Sequence, residues 1–229
     1  MPVLRYDLHI HSCLSPCGEE EMTPNNIIGM AQILELDAIA VADHNTAKNL
    51  PAVAALGEAA GILVIPAIEV TTAEEVHVLS LFPTVEAALE MDRILYEALP
   101  AIKNRPDIFG RQLWMDEEDT VLGETDKLLI NATALSIEKV FATVRELGGV
   151  PIPAHIDKNS YSVIANLGFI PPELETVTVE VKNPPCTAAE PYRVISDSDA
   201  HALEVMAEHD AGELEVPEVT VAAVLNALR

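Results

Sequence analysis

Six of the seven histidines in this chain of 229 residues are gathered in short stretches that also carry carboxylates. These stretches are Asp7-Leu8-His9-Ile10-His11, Ala42-Asp43-His44-Asn45, Glu75-Val76-His77-Val78, Pro153-Ala154-His155-Ile156-Asp157 and Ser198-Asp199-Ala200-His201. Packing gives a soluble chain no reason to place its imidazoles there, whereas imidazole and carboxylate together ligate zinc, manganese and iron. Residues two apart on a strand share one face, so Asp7, His9 and His11 point the same way, and so do Asp199 and His201. The chemistry expected of this pattern is that of a multinuclear metallohydrolase.

The scaffold that must position these groups reads as α/β with parallel strands. Apolar, β-branched runs mark strands at 4–10, 38–42, 62–68, 76–82, 150–154, 177–181 and 192–196, with a last short strand at 213–216. Between the first two lies a helix with Thr23 as its cap and Pro24 at its first position, and further helices are expected over 51–60, 137–147 and 220–228. Each histidine motif falls at the C-terminal end of a strand or just past it, the rim on which the loops of barrel-like α/β proteins converge. The segment 84–134 breaks this rhythm. It holds an amphipathic stretch (85–99), the only tryptophan, Trp114, and the acidic run Asp116-Glu117-Glu118-Asp119, and it reads as an insertion or lid on a single domain spanning 1–229.

Composition narrows the partners. The net charge is −24, from 13 Lys and Arg against 37 Asp and Glu. Binding to a phosphate backbone needs a basic surface, so no long nucleic acid is expected. A bound metal cluster reverses the sign locally and keeps a small phosphorylated substrate in play. No apolar run approaches the roughly 20 residues needed to span a bilayer, so no membrane partner is expected. The first residues lack a signal-peptide layout, which makes a cytoplasmic location the expectation. Three cysteines, Cys13, Cys17 and Cys186, make no disulfide framework. The oligomeric state is left open.

The ordered set Asp7-Leu8-His9-Ile10-His11-Ser12, Asp43-His44-Asn45, Glu69, His77, His155 and Ser198-Asp199-Ala200-His201 resembles the polymerase and histidinol phosphatase (PHP) superfamily of metallophosphoesterases. The resemblance implies a distorted (βα)7, TIM-like barrel with two or three divalent ions (Zn, Mn or Fe) at the C-terminal ends of its strands. By that likeness His9, His11, Glu69 and Asp199 hold one metal. Glu69 bridges to a second metal held with His77 and His155, and His44 and His201 hold a third. The remaining ligand of the third falls on Cys17, where relatives usually carry Asp or His. A thiolate there favours zinc or iron over manganese, or the third site is weak or empty, or Cys17 is a free thiol.

The implied activity is phosphoester hydrolysis of a small phosphorylated metabolite or a nucleotide by a metal-bound hydroxide. Glu69, His155 and Asp199 are the expected catalytic positions. Lys158, three residues after His155, is the expected phosphate contact, with Arg193 a further candidate and Lys182 and Lys48 weaker ones. Asp7, Asp43 and Asp157 could orient the ligands, and His209 reads as solvated. The alternatives are an exonuclease or oligonucleotide-trimming enzyme and a metal-binding regulatory domain without turnover.

Overall fold

The computed structural model describes residues 2–229. In chain order the elements are β1 (Val3–Ile10), α1 (Pro24–Ile33), β2 (Ala38–Val41), α2 (Leu50–Ala60), β3 (Leu63–Val64), β4 (Ala67–Thr71), β5 (His77–Leu81) and α3 (Val85–Ala98). They continue with α4 (Pro106–Phe109), β6 (Leu113–Met115), β7 (Val121–Glu124), α5 (Ile137–Glu146), β8 (Val150–Pro153) and α6 (Val163–Leu167). The last are β9 (Thr178–Glu180), β10 (Arg193–Ile195), α7 (Leu203–Glu208), β11 (Gly212–Glu215) and α8 (Val221–Leu228).

The helices start where local chemistry sets them. The Thr23 hydroxyl accepts the Asn26 N–H ahead of Pro24, and α1 then turns Ile27, Ile28 and Ala31 inward. Ser136 caps α5 in the same way, and Ile137, Val140, Phe141 and Val144 form its buried stripe. Strands β2, β4, β5 and β8 are buried along their whole length, which explains their nearly unbroken apolar sequence. Pro66 splits the strand expected over 62–68 into β3 and β4.

The strands are not all parallel, and they do not lie in one continuous sheet. They divide into a four-stranded sheet of order β11-β1-β2-β3, a three-stranded sheet of order β4-β5-β8, and the pairs β9-β10 and β6-β7. Strands β1, β2 and β3 are parallel, as are β9 and β10, but β5 runs antiparallel to both β4 and β8. Only residues 72–76 join β4 to β5. That is enough for a hairpin and too short for the crossover that parallel pairing requires. Single bridges link the sheets where the motifs lie, His44 to Glu69 and Ile10 to Ala200.

Part of the segment 84–134 is core. Helix α3 contributes Ala88, Met91 and Leu95 to the largest apolar cluster, which also holds Val140 and Phe141 of α5. The acidic run caps a helix: Asp119 accepts from the Thr23 hydroxyl (2.7 Å) and the Asn25 N–H (3.1 Å) at the start of α1. Asn45, beside His44, ties the segment to the motif loops. Its amide donates to the Leu129 and Asn131 carbonyls (2.7 and 3.0 Å), and its oxygen accepts from Thr71 N (2.9 Å). Asn45 has φ 53°, a left-handed conformation that Asn tolerates better than Ala. Asn45→Ala leaves these buried groups unpaired and is expected to cost at least about 2 kcal/mol of unfolding free energy, read by urea denaturation of the chelator-treated protein.

Candidate metal centre

The side chain at the centre is Glu69, in the middle of β4 and fully buried. Five imidazoles contact its two oxygens. Oε1 lies 2.8 Å from His77 Nδ1, 3.1 Å from His155 Nε2 and 3.3 Å from His9 Nε2. Oε2 lies 2.9 Å from His44 Nδ1 and 3.4 Å from His11 Nε2. Asp199 adds a second carboxylate, with Oδ1 at 3.2 Å from His11 Nε2 and 3.7 Å from His9 Nε2. His201 stacks on His11 with ring centroids 4.0 Å apart.

The strands deliver these groups from separate directions. His9 and His11 lie at and just past the end of β1, His44 follows β2, His77 opens β5, His155 follows β8, and Asp199 and His201 follow β10. His155 (φ 30°) and Asp199 (φ 46°) are held in the left-handed region, which costs a residue other than glycine of order 1–3 kcal/mol and persists where the surroundings fix it.

Although buried, His9 Nε2, His11 Nε2, His44 Nδ1 and Glu69 Oε2 make no hydrogen bond of acceptable geometry to one another. Buried nitrogen and oxygen atoms that lie close together without hydrogen-bond partners suit a cation. Three sets of donor atoms lie within 4.8 Å of one another: His9, His11 and Asp199; His44, Glu69 and His77; and His11, His44 and His201. Imidazole and carboxylate are ligands for zinc, manganese or iron, so the residues present fit such ions.

The electrostatics divide the imidazoles. Burial alone would lower His9, but Glu180, Glu69 and Asp199 hold it well above the ordinary value. Burial also opposes protonation of His11, and the nearby carboxylates of Asp199 and Glu69 raise it to about 8. Burial, reinforced by the His11 charge, lowers His44 to about 4 and His201 to about 3, and burial lowers His77. For Glu69 burial pulls upward, and the surrounding imidazoles His77, His9 and His44 hold it well below the carboxylate range.

Several of these imidazoles are braced from behind. His11 Nδ1 donates to the Ser15 hydroxyl (3.0 Å), which donates to Asp43 (2.7 Å). His9 Nδ1 lies 2.8 Å from Glu180 Oε1 at the end of β9. Glu180 and Ser15 escaped the sequence reading. Glu180 carried the signal that marked Glu69, an acidic residue closing an apolar strand, here Val177-Thr178-Val179. Asp7 turns to accept the Ser198 N–H (3.0 Å), and Asp157 accepts from Lys182 N and Asn183 N, so neither braces an imidazole. His209 is half-buried and not solvated, with Nε2 3.4 Å from the Ser196 carbonyl.

A cavity of about 170 Å³ opens onto the cluster, lined by Cys17, His44, Glu69, His77, Ile130, His155, Lys158, Tyr161, Asp199 and His201. The Lys158 ammonium is bonded to Asp199 Oδ2. Tyr161, another residue the motifs did not mark, stacks on His77 and is 41% exposed. Cys17 lines this mouth but belongs to none of the three donor sets. Burial and the charge of Glu69 push its thiol up to about 12. Arg193 is not at the site. It stands exposed where β10 begins, at the end of that strand remote from Asp199. Lys48 instead approaches the Tyr96 and Trp114 rings.

No family model and no curated protein sequence matches the chain. Solved structures do. The lesion-specific endonuclease Q from Pyrococcus furiosus aligns over 99% of this chain with a TM-score of 0.72 and 19% identity. A proposed metal-dependent phosphoesterase from Bifidobacterium adolescentis aligns over 87% of this chain and 88% of its own, with a TM-score of 0.58 and 21% identity. This chain has a PHP-type fold. It spans 56% of the length of endonuclease Q, so the remainder of that protein has no counterpart in the alignment.

A second endonuclease Q structure, with a TM-score of 0.69 and 19% identity over 99% of this chain, holds a 27-mer duplex substrate with an abasic lesion at the active site. That finding overturns the exclusion of long nucleic acid drawn from net charge. A protein that contains a similar fold holds a duplex, and a charge summed over the whole surface does not describe the field at one mouth. The structure has no helix long and apolar enough to cross a membrane among the described residues.

The split among the imidazoles sets a pH dependence. An ion that takes His11 Nε2 and His9 Nε2 must displace their protons, and both imidazoles are raised, so divalent-ion affinity should rise as pH increases through about 8. Isothermal titration with Mn²⁺ between pH 6 and 9 checks this; flat affinity across that range contradicts it.

Proposed function

We propose that the chain is a metal-dependent phosphoesterase of the PHP superfamily that cleaves phosphate esters of nucleotides or of a nucleic-acid strand. The convergence of five imidazoles on buried Glu69, beside Asp199, carries this reading. His9, His11 and Asp199 would hold one ion and His44, Glu69 and His77 another, with His155 beside the second. His201 and Cys17 border the place of a third. Divalent ions in such a centre supply Lewis-acid charge for the phosphoryl oxygens and lower the pKa of water.

The remaining work falls to side chains of this chain. Lys158 faces the cavity from a partly exposed position, its pKa raised by Asp199 against the opposing effect of burial. A phosphate oxygen entering the mouth competes with Asp199 for that ammonium. The cavity is smaller than the roughly 300–1,000 Å³ of sites that engulf a drug-sized ligand. It therefore takes the phosphoryl group and leaves the rest of the substrate outside, where chain length is not limited by an enclosing wall. This openness, together with the duplex held by endonuclease Q on the same fold, favours a nucleic-acid or nucleotide ester. A small phosphorylated metabolite remains the second reading, favoured by a cavity of about 170 Å³ that suits a single phosphoryl group.

A panel of mononucleotides, bisphosphates, diesters, single-stranded oligonucleotides and abasic duplexes, assayed with Mn²⁺, Zn²⁺ or Fe²⁺, tests the proposal. Ion-dependent hydrolysis is expected, and His9→Ala and Glu69→Ala should each lower it by more than about 100-fold, beyond the usual cost of losing a ligand's outer partner. Full activity in either variant would sink the assignment. Lys158→Met should raise KM by about 10- to 100-fold, the range for a lost charge-assisted hydrogen bond, whereas an unchanged KM removes Lys158 from substrate binding.

A further inference from the structure

We infer that Glu180 is a positioning residue that ties two metal positions into one unit, holding His9 by its side chain and His155 by its main chain. The inference rests on the metal-centre reading above. Glu180 is the last residue of β9 and is 1% exposed. One carboxylate oxygen lies 2.8 Å from His9 Nδ1, and the other accepts the His155 backbone N–H at 2.8 Å. Its own carbonyl accepts the N–H of Ile156 at 2.9 Å.

The two contacts do different work. With Nδ1 donating to Glu180, the lone pair of His9 is placed on Nε2, the atom that faces Glu69 and Asp199. His155 sits at φ 30°, a conformation its own backbone does not favour. The hydrogen bonds to Glu180 from His155 N and Ile156 N hold the chain there, with Nε2 of His155 3.1 Å from Glu69 and 3.3 Å from His77 Nδ1. His9 belongs with His11 and Asp199, whereas His155 lies beside Glu69 and His77. One carboxylate therefore fixes a residue at each position.

Both partners of Glu180 are donors, so both of its oxygens must accept. A glutamine of the same shape offers one acceptor and one amide, and the amide would face an N–H. Glu180→Gln thus removes one anchor while preserving volume. Because Glu69 and Asp199 also face the His9 ring, removing the Glu180 charge leaves that imidazole with carboxylate neighbours in the chelator-treated protein.

The test is calorimetric titration of the chelator-treated full chain with Mn²⁺ alone, beside a thermal melt in chelator and steady-state kinetics. Glu180→Ala, which removes both anchors, should weaken binding of both ions by about 10- to 100-fold; Glu180→Gln, which keeps one, should weaken at least one ion by a similar factor while its melting temperature in chelator stays within a few degrees of wild type. The kinetic loss should be recovered in part by excess Mn²⁺. Wild-type affinity for both ions in Glu180→Gln, or weakening of one ion alone in Glu180→Ala, overturns the inference. A large fall in melting temperature with unchanged affinity also overturns it, since that is the behaviour of a purely structural residue. If the wild-type chain itself binds no ion, the metal-centre reading fails first, and the two failures are told apart.

Discussion

A single carboxylate surrounded by imidazoles organises this protein. Glu69 is cut off from water, and burying an unpaired carboxylate is costly. The chain answers with five histidines drawn from β1, β5 and the loops that follow β1, β2 and β8. Since those elements lie in different sheets, the Glu69 cluster also joins them. The bridge between His44 and Glu69 is the backbone expression of the same constraint.

The buried charge also explains how the outer partners are distributed. Asp43 acts on His11 through Ser15, and Glu180 acts on His9 directly. Each occupies the ring nitrogen that points away from the cluster, so the inward nitrogen is the free one. Asp7 and Asp197 lie deeper and hold backbone instead, accepting from Ser198 N and Leu8 N. Burial raises both of their carboxyls, in contrast to Glu69 and Asp199, which the imidazoles keep ionised. The two carboxyls that face imidazoles and the two that hold backbone are thus shifted in opposite directions.

Much of this was legible in the sequence for a physical reason. Strand ends with paired imidazoles and acids have no packing explanation, and His9, His11, His44, His77, His155, Glu69 and Asp199 do meet in space. Most element positions also followed from apolar runs and caps such as Thr23 and Ser136. Direction within the sheets was not legible, because apolar strands read alike whether parallel or antiparallel; only the short 72–76 connection betrays the β4–β5 hairpin. Arg193 was misplaced because proximity in sequence to a motif does not say which end of a strand a residue occupies. Net charge misled about nucleic acid, being a sum that carries no position. Glu180 was overlooked although it repeats the strand-closing pattern of Glu69, since no histidine stands near it in sequence.

The account turns on whether cations gather at Glu69. A crystal of the chain soaked in Mn²⁺, with anomalous scattering recorded near the manganese edge, addresses this directly. The account predicts at least two anomalous peaks, each within about 2.5 Å of a Glu69 or Asp199 oxygen and of inward-facing imidazole nitrogens. Anomalous peaks confined to surface carboxylates, with none beside Glu69, would contradict it.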